Sequence, residues 1–176
     1  MRFARAALVL GFLALASAPE IRRAAAERRL WQAHAALDLL AKGEPGGPDP
    51  KPVLAWIGES AGACARDLPG DPRPPMLAAS ARMLDRDASG ALADLRHAFA
   101  GGERGDVDFQ AGRAFVSLRD MRRGQTALLR AAWISPVLLA DLPEAPRAVL
   151  EREVEVLADR LRNGQLSAPP PAPEWP

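Results

Sequence analysis

Residues 76–136 repeat on themselves at an offset of 33, and this internal match constrains the fold of the 176-residue chain more than any other feature. The shift pairs Met76 with Phe109, Ala78 with Ala111, Ala81 with Ala114, Ala91 with Gly124, Leu95 with Leu128 and Ala98 with Ala131. A period of that length is what a helix–turn–helix unit occupies. One such unit cannot bury its apolar face alone. It stacks on its neighbours, and the stack leaves an extended surface for partners. The expected fold class is therefore all-α: a short α-solenoid of stacked helix–turn–helix repeats behind an N-terminal signal or anchor helix.

Composition agrees. Hydrophobic residues make up 48% of the chain, enough for a core, yet only 5% are aromatic and there is no Tyr. An apolar set dominated by Ala and Leu favours helix over sheet. The net charge of +1 and the scattered arginines exclude a nucleic-acid footprint. Lys42 and Lys51 are the only lysines, a bias that reads as the codon usage of a GC-rich genome.

Residues 1–20 read as a signal peptide or N-terminal membrane anchor. Arg2 and Arg5 form a positive start, residues 6–18 are an uncharged run of 13, and Ala16-Ser17-Ala18 resembles a cleavage site. The run is short for a span, which takes about 20 apolar residues. Pro19 disfavours cleavage just before it, and Ala14-Leu15-Ala16 offers another site. A cleaved signal, a retained anchor and a buried cytosolic helix are the three readings. The first two place the remainder in a bacterial periplasm, with Arg2 and Arg5 on the cytoplasmic side.

The rest reads as helix after helix. Residues 21–75 hold two leading helices and a proline-rich linker. The first carries the stripe Ala26, Leu30, Ala33, Leu37 and Leu40, with Trp31 beside it and expected to pack on the next helix. The second runs over 52–66, with Val53, Trp56, Ile57 and Cys64 near one face. Gly and Pro make 43–50 a loop, and the prolines of 68–75 break the chain again. Within 76–136 two units follow. Ser89 is the expected cap of the helix running to about Ala100, and Asp106 or Asp108 of the next. Ser135-Pro136 opens a short helix. Residues 137–164 are capping helices, the last with the stripe Leu150, Val154, Leu157 and Leu161 and closed by Asn163-Gly164.

The second unit carries Gly112, Phe115, Gly124, Leu128, Ala131 and Pro136. In these residues the chain resembles the tetratricopeptide-repeat family, whose units place a glycine, an aromatic, a small residue, a large residue, an alanine and a closing proline at those positions. In the first unit Ala79, Ala91, Leu95 and Ala98 fit, Arg82 stands where the aromatic belongs, and no closing proline is present. Neither unit opens on a Trp; the second has Asp108 there. The resemblance covers 76–136 and implies an α-helical surface that binds proteins or peptides and performs no chemistry. It also implies that Gly112 and Gly124 let the paired helices approach and that Phe115 fills the gap between them.

Gly58-Glu59-Ser60-Ala61-Gly62 matches a Gly-x-Ser-x-Gly pattern and resembles the nucleophile elbow of carboxylesterases, where a serine sits on a strand-to-helix turn. A triad would need an acid and then a histidine after Ser60. The only downstream histidine is His97, 37 residues on, and no oxyanion glycine cluster precedes the serine. A serine hydrolase is the remote alternative. His34, His97 and Cys64 do not make a zinc site without added carboxylates, and Asp94–His97 reads as an exposed helical pair. Asp85 and Asp87 read as turn and cap residues, not a calcium loop. No cofactor or metal is expected. A lone Cys64 forms no internal disulfide and reads as a small buried side chain, with an intermolecular disulfide as the other reading.

Residues 165–176 are proline-rich and expected to be extended or disordered: a solvated tail, or a ligand for a partner groove with Trp175 as anchor. The functional expectation is a non-catalytic adaptor or accessory subunit of a cell-envelope assembly, such as surface-polymer or secretion machinery. It binds a protein or peptide through Arg82, Asp108 and Arg113 on the leading helices, and meets the inner membrane through residues 1–20 if these are retained. A structural single-pass subunit is the alternative. Partner, pathway and oligomeric state are not written in the sequence.

Overall fold

The computed structural model describes residues 2–43, 49–166 and 168–175, with side chains from residue 18 onward. Most of the expected loop at 43–50 lies outside the described residues, as do Ser167 and Pro176. Among the described residues the chain is all-helical: α1 (Arg2–Lys42), α2 (Pro50–Asp67), α3 (Arg73–Leu84), α4 (Ala88–Phe99), α5 (Gly105–Ser117), α6 (Met121–Ile134), a 3-10 turn (Pro136–Asp141) and α7 (Glu144–Arg162). The backbone of α1 runs on through Pro19 without a break. The side chains of 1–17, on which the signal-or-anchor expectation rests, lie outside the described residues. No described helix is long and apolar enough to cross a membrane.

The helices pack in chain order, each against the next, with the most extensive interface between α5 and α6. In addition α1 touches α3 and α3 touches α5, whereas α2 and α4 do not touch, nor do α4 and α6. The core is three linked clusters. Leu30, Ile57, Cys64 and Leu77 join α1, α2 and α3; Leu92, Leu95, Val107 and Phe115 join α4 and α5; Phe109, Leu128, Leu139 and Leu150 join α5, α6, the 3-10 turn and α7. A bidentate contact of Arg73 to Glu27 ties the start of α3 to α1.

The 33-residue offset is written into the backbone. Asp85 and Leu118 end α3 and α5 with nearly the same dihedrals, φ −79°, ψ 4° and φ −83°, ψ 3°. Arg86 and Arg119 then both take φ 64°, and Asp87 and Asp120 return N–H bonds to the carbonyls of Arg82 and Phe115. This is the Schellman closure, which satisfies the last carbonyls of a helix. Asp87 caps α4 through Gly90 N, and Asp120 caps α6 through Arg123 N. The cap of α4 is thus Asp87, and Ser89 lies inside the helix. Neither Asp106 nor Asp108 caps α5: it starts at Gly105 behind Arg104, and Asp106 pairs with Arg104.

Gly112 and Gly124 do admit close packing, since a Cβ on either would meet the paired helix within 2.7 Å. Trp31 does not pack on the next helix; it stands 70% exposed on α1. The last helix is loosely seated: Leu150 is its only fully buried residue, and Leu161 of the expected stripe is 43% exposed.

Candidate functional site: two grooves one unit apart

Because α2 and α4 both pack on α3 but not on each other, a groove of about 790 Å³ opens between them. Leu54, Ala55, Gly58, Ala61, Gly62 and Ala65 of α2 line it, at the i, i+3, i+4 spacing that places them on one face. Pro74, Pro75, Ala78 and Ala81 of α3 form its floor. A Cβ at Gly58 or Gly62 would meet nothing within 4 Å. Glycine inside a helix costs about 0.5–1 kcal/mol relative to alanine, and here no packed neighbour demands it. What the two glycines provide is width in the groove.

The far wall is polar. Arg82 Nε donates to Asp94 Oδ2 at 2.8 Å and Arg82 Nη1 to Asp87 Oδ2 at 2.8 Å, a bridge from α3 to α4. Half-exposed pairs of this kind contribute little stability. Asp85 and His97 complete the rim. His97 Nδ1 lies 2.8 Å from the Ala93 carbonyl, which can only accept, so this contact places the proton on Nδ1.

One repeat further on, α4 and α6 likewise flank α5. The positions of α5 corresponding to Pro75 and Arg82 are Asp108 and Phe115, and the position of α6 corresponding to His97 is Arg130. Here the chain's own residues 168–175 bridge the two flanking helices. Arg130 Nη1 donates to the Pro170 carbonyl at 2.6 Å, and the Nε–Nη2 edge of the guanidinium donates to the Glu103 carboxylate. Glu174 accepts from Arg122 Nη2 at 3.0 Å. Trp175 packs on Phe99 of α4 with ring centroids 5.2 Å apart. Pro170 and Pro173 are buried. The segment has no helix or strand, in keeping with its prolines, but it is docked rather than loose.

The expected partner-binding residues therefore separate. Arg82 lines the open groove. Arg113 is exposed on α5 and does not line that groove. Trp175 is engaged within the chain. Asp108 is not on a surface at all: it is 0% exposed, and neither carboxylate oxygen has a hydrogen-bond partner. Burial pushes its pKa up to about 7, with Glu103 and Asp106 adding to the shift and Arg130 opposing it. An aspartate in a helix's first turn reads as a favourable exposed charge, and only its complete burial in the fold reverses that.

Ser60 lies inside α2 on its buried side, not on a strand-to-helix turn, while Gly58 and Gly62 of the same motif face the open groove. Asp94 is engaged by Arg82, and among the described residues no three His, Cys, Asp or Glu side chains cluster as metal ligands would. Cys64 is buried, its thiol donating to the Ala26 carbonyl at 3.3 Å, and burial raises its pKa. The small-buried-residue reading holds for it. No known protein family, curated protein or solved structure matches the chain.

Proposed function

We propose that this chain is a short α-solenoid of tetratricopeptide-like units acting as an adaptor, and that the open α2–α3–α4 groove receives an extended polypeptide. The observation that carries this reading is the occupied groove one unit along, where an extended segment already lies between the corresponding helices. Supporting it, Gly58 and Gly62 keep the open groove wide at a cost to α2 that packing does not require. Arg82, Asp94 and His97 offer donors and acceptors to a passing backbone. The place of action we propose is a bacterial periplasm, on the strength of residues 1–20, in an envelope assembly.

A photo-crosslinker at Ala55 in the full chain, expressed in its native membranes, tests the proposal. A polypeptide adduct that disappears when Gly62 is replaced by Leu supports the groove as the binding site. An adduct equally strong with Gly62→Leu, or stronger from a crosslinker at Arg113, would move the interface elsewhere. Labelling of the protein by a fluorophosphonate probe, lost in Ser60→Ala, would favour the hydrolase instead.

A further inference from the structure

Four side-chain atoms among the described residues are buried without a hydrogen-bond partner, and they belong to three residues: both oxygens of Asp108, Nε of Arg123 and Nε1 of Trp175. Buried polar groups nearly always find partners, because leaving one unpaired forfeits its hydration without return. Trp175 belongs to the segment, Arg123 lies beside it, and Asp108 stands on α5 within the electrostatic reach of Arg130, which holds the segment. Trp175 is the segment's anchor. Arg123 sits with its guanidinium carbon 5.9 Å from the centre of the Phe115 ring and near Glu174. Asp108 occupies the position whose counterpart, Pro75, faces the open groove.

Of the polar contacts that hold the segment, the Arg130 bond to the Pro170 carbonyl is part-buried, whereas those of Glu174 are wet. Glu174 is 66% exposed and its partner Arg122 is 73% exposed. Ion pairs of that kind contribute little. The stronger pair at this site, Arg130 with Glu103, is formed within the helical body and does not depend on the segment. An extended proline-rich chain is restricted by its prolines before docking, so an incoming segment of the same kind would lose little order on entering the groove. The groove is thus filled by an occupant that leaves buried polar groups of the site and of its own anchor unsatisfied.

We infer that the α4–α5–α6 groove is a second peptide-binding site, kept shut by the chain's own residues 168–175, and that its partner is an extended, proline-containing segment with an acidic and an aromatic residue. Such a segment would reproduce the Pro170 carbonyl on Arg130, the Glu174 carboxylate on Arg122 and the Trp175 ring on Phe99. A donor on the incoming chain would meet Asp108. The inference rests on the peptide-binding reading above but concerns a different groove, so the two can fail separately.

A labelled peptide with the sequence of residues 168–175 is the probe. Against the full chain it should bind weakly, and against full-length Trp175→Ala at least tenfold more tightly. Glu174→Arg, a change at an exposed position that carries no risk to folding, should tighten it about threefold. In the Trp175→Ala background, Arg122→Glu should weaken the probe, and a probe carrying Arg in place of the Glu174 residue should restore binding to Arg122→Glu. Unchanged affinity in both Trp175→Ala and Glu174→Arg overturns the proposal. So does binding that is indifferent to Arg122→Glu, or that is lost with Gly62→Leu, which would put the probe in the open groove.

Discussion

Gly112 and Leu128 face each other across α5 and α6 with no room for another atom: a Cβ on Gly112 would lie 2.6 Å from Leu128 Cγ and 3.1 Å from Leu128 N. The side chain can rotate away, but the backbone nitrogen belongs to a packed helix. Gly112→Ala should therefore destabilise the protein by about 1–3 kcal/mol through overpacking, although alanine is the better helix former by about 1 kcal/mol. Urea denaturation of the two proteins measures this, and a stabilised variant would show that α5 and α6 can part without cost.

Phe115 is 1% exposed and fills the space between the paired helices, capped by the Arg123 guanidinium. Phe115→Ala should cost about 3–5 kcal/mol, the range for deleting a buried aromatic. A loss below about 1 kcal/mol in the same denaturation experiment would contradict the packing. At the corresponding position Arg82 reaches the next helix by ion pairs instead, and its removal should cost under about 1 kcal/mol.

Gly58→Ala and Gly62→Ala should each stabilise the fold, by about 0.5–1 kcal/mol, since the added methyl enters open space and the helix gains a better former. Thermal melting reads the sign directly. A destabilised pair would mean that α2 has a close neighbour at this face and that the groove is narrower than described.

Asp108 makes stability depend on pH. Its carboxyl has a pKa of about 7 in the folded protein against the ordinary 3.8. Between those values the unfolded chain has released the proton and the folded one retains it, so stability falls as pH rises. Below pH 4 both states are protonated and the group's contribution is at its most favourable; above pH 7 the penalty is complete. The slope is at most about 1.4 kcal/mol per pH unit. Asp108→Asn should flatten it, raising stability at pH 8 by roughly 2–4 kcal/mol and leaving it nearly unchanged at pH 4. Denaturation midpoints of both proteins across that range provide the check, and parallel curves would refute the burial of an ionisable group there.

Much of this architecture was legible because it is local. Helices announce themselves by apolar spacing, and the repeat at 33 residues is repeated in turns that close on themselves. The caps were legible only in part: Asp87 reads as a turn or cap residue and does cap α4, but Ser89 misled because serine is as good a cap by type, and Asp106 and Asp108 misled at α5, which has no side-chain cap. The sites were not legible. The open groove draws one wall from α2, outside the matched stretch, and its chemistry is space rather than side chains. Asp108 reads as an exposed charge until the packed helices bury it. The docking of 168–175 joins residues as far apart in sequence as Phe99 and Trp175, and an extended segment has no periodicity to show where it will lie.

The light seating of α7 has a consequence for how the molecule opens. Each helix leans chiefly on its neighbours in the chain, and the packing is sparsest at the C-terminal end, where α7 rests on α6 and the 3-10 turn. With Val149, Val156 and Leu161 left in water, α7 contributes little to hold its own end shut. Amide protons there will exchange through local fraying well before those of α5 and α6. Residues 168–175 lie a few residues beyond the end of α7, and each such excursion loosens the tether that returns them to their groove.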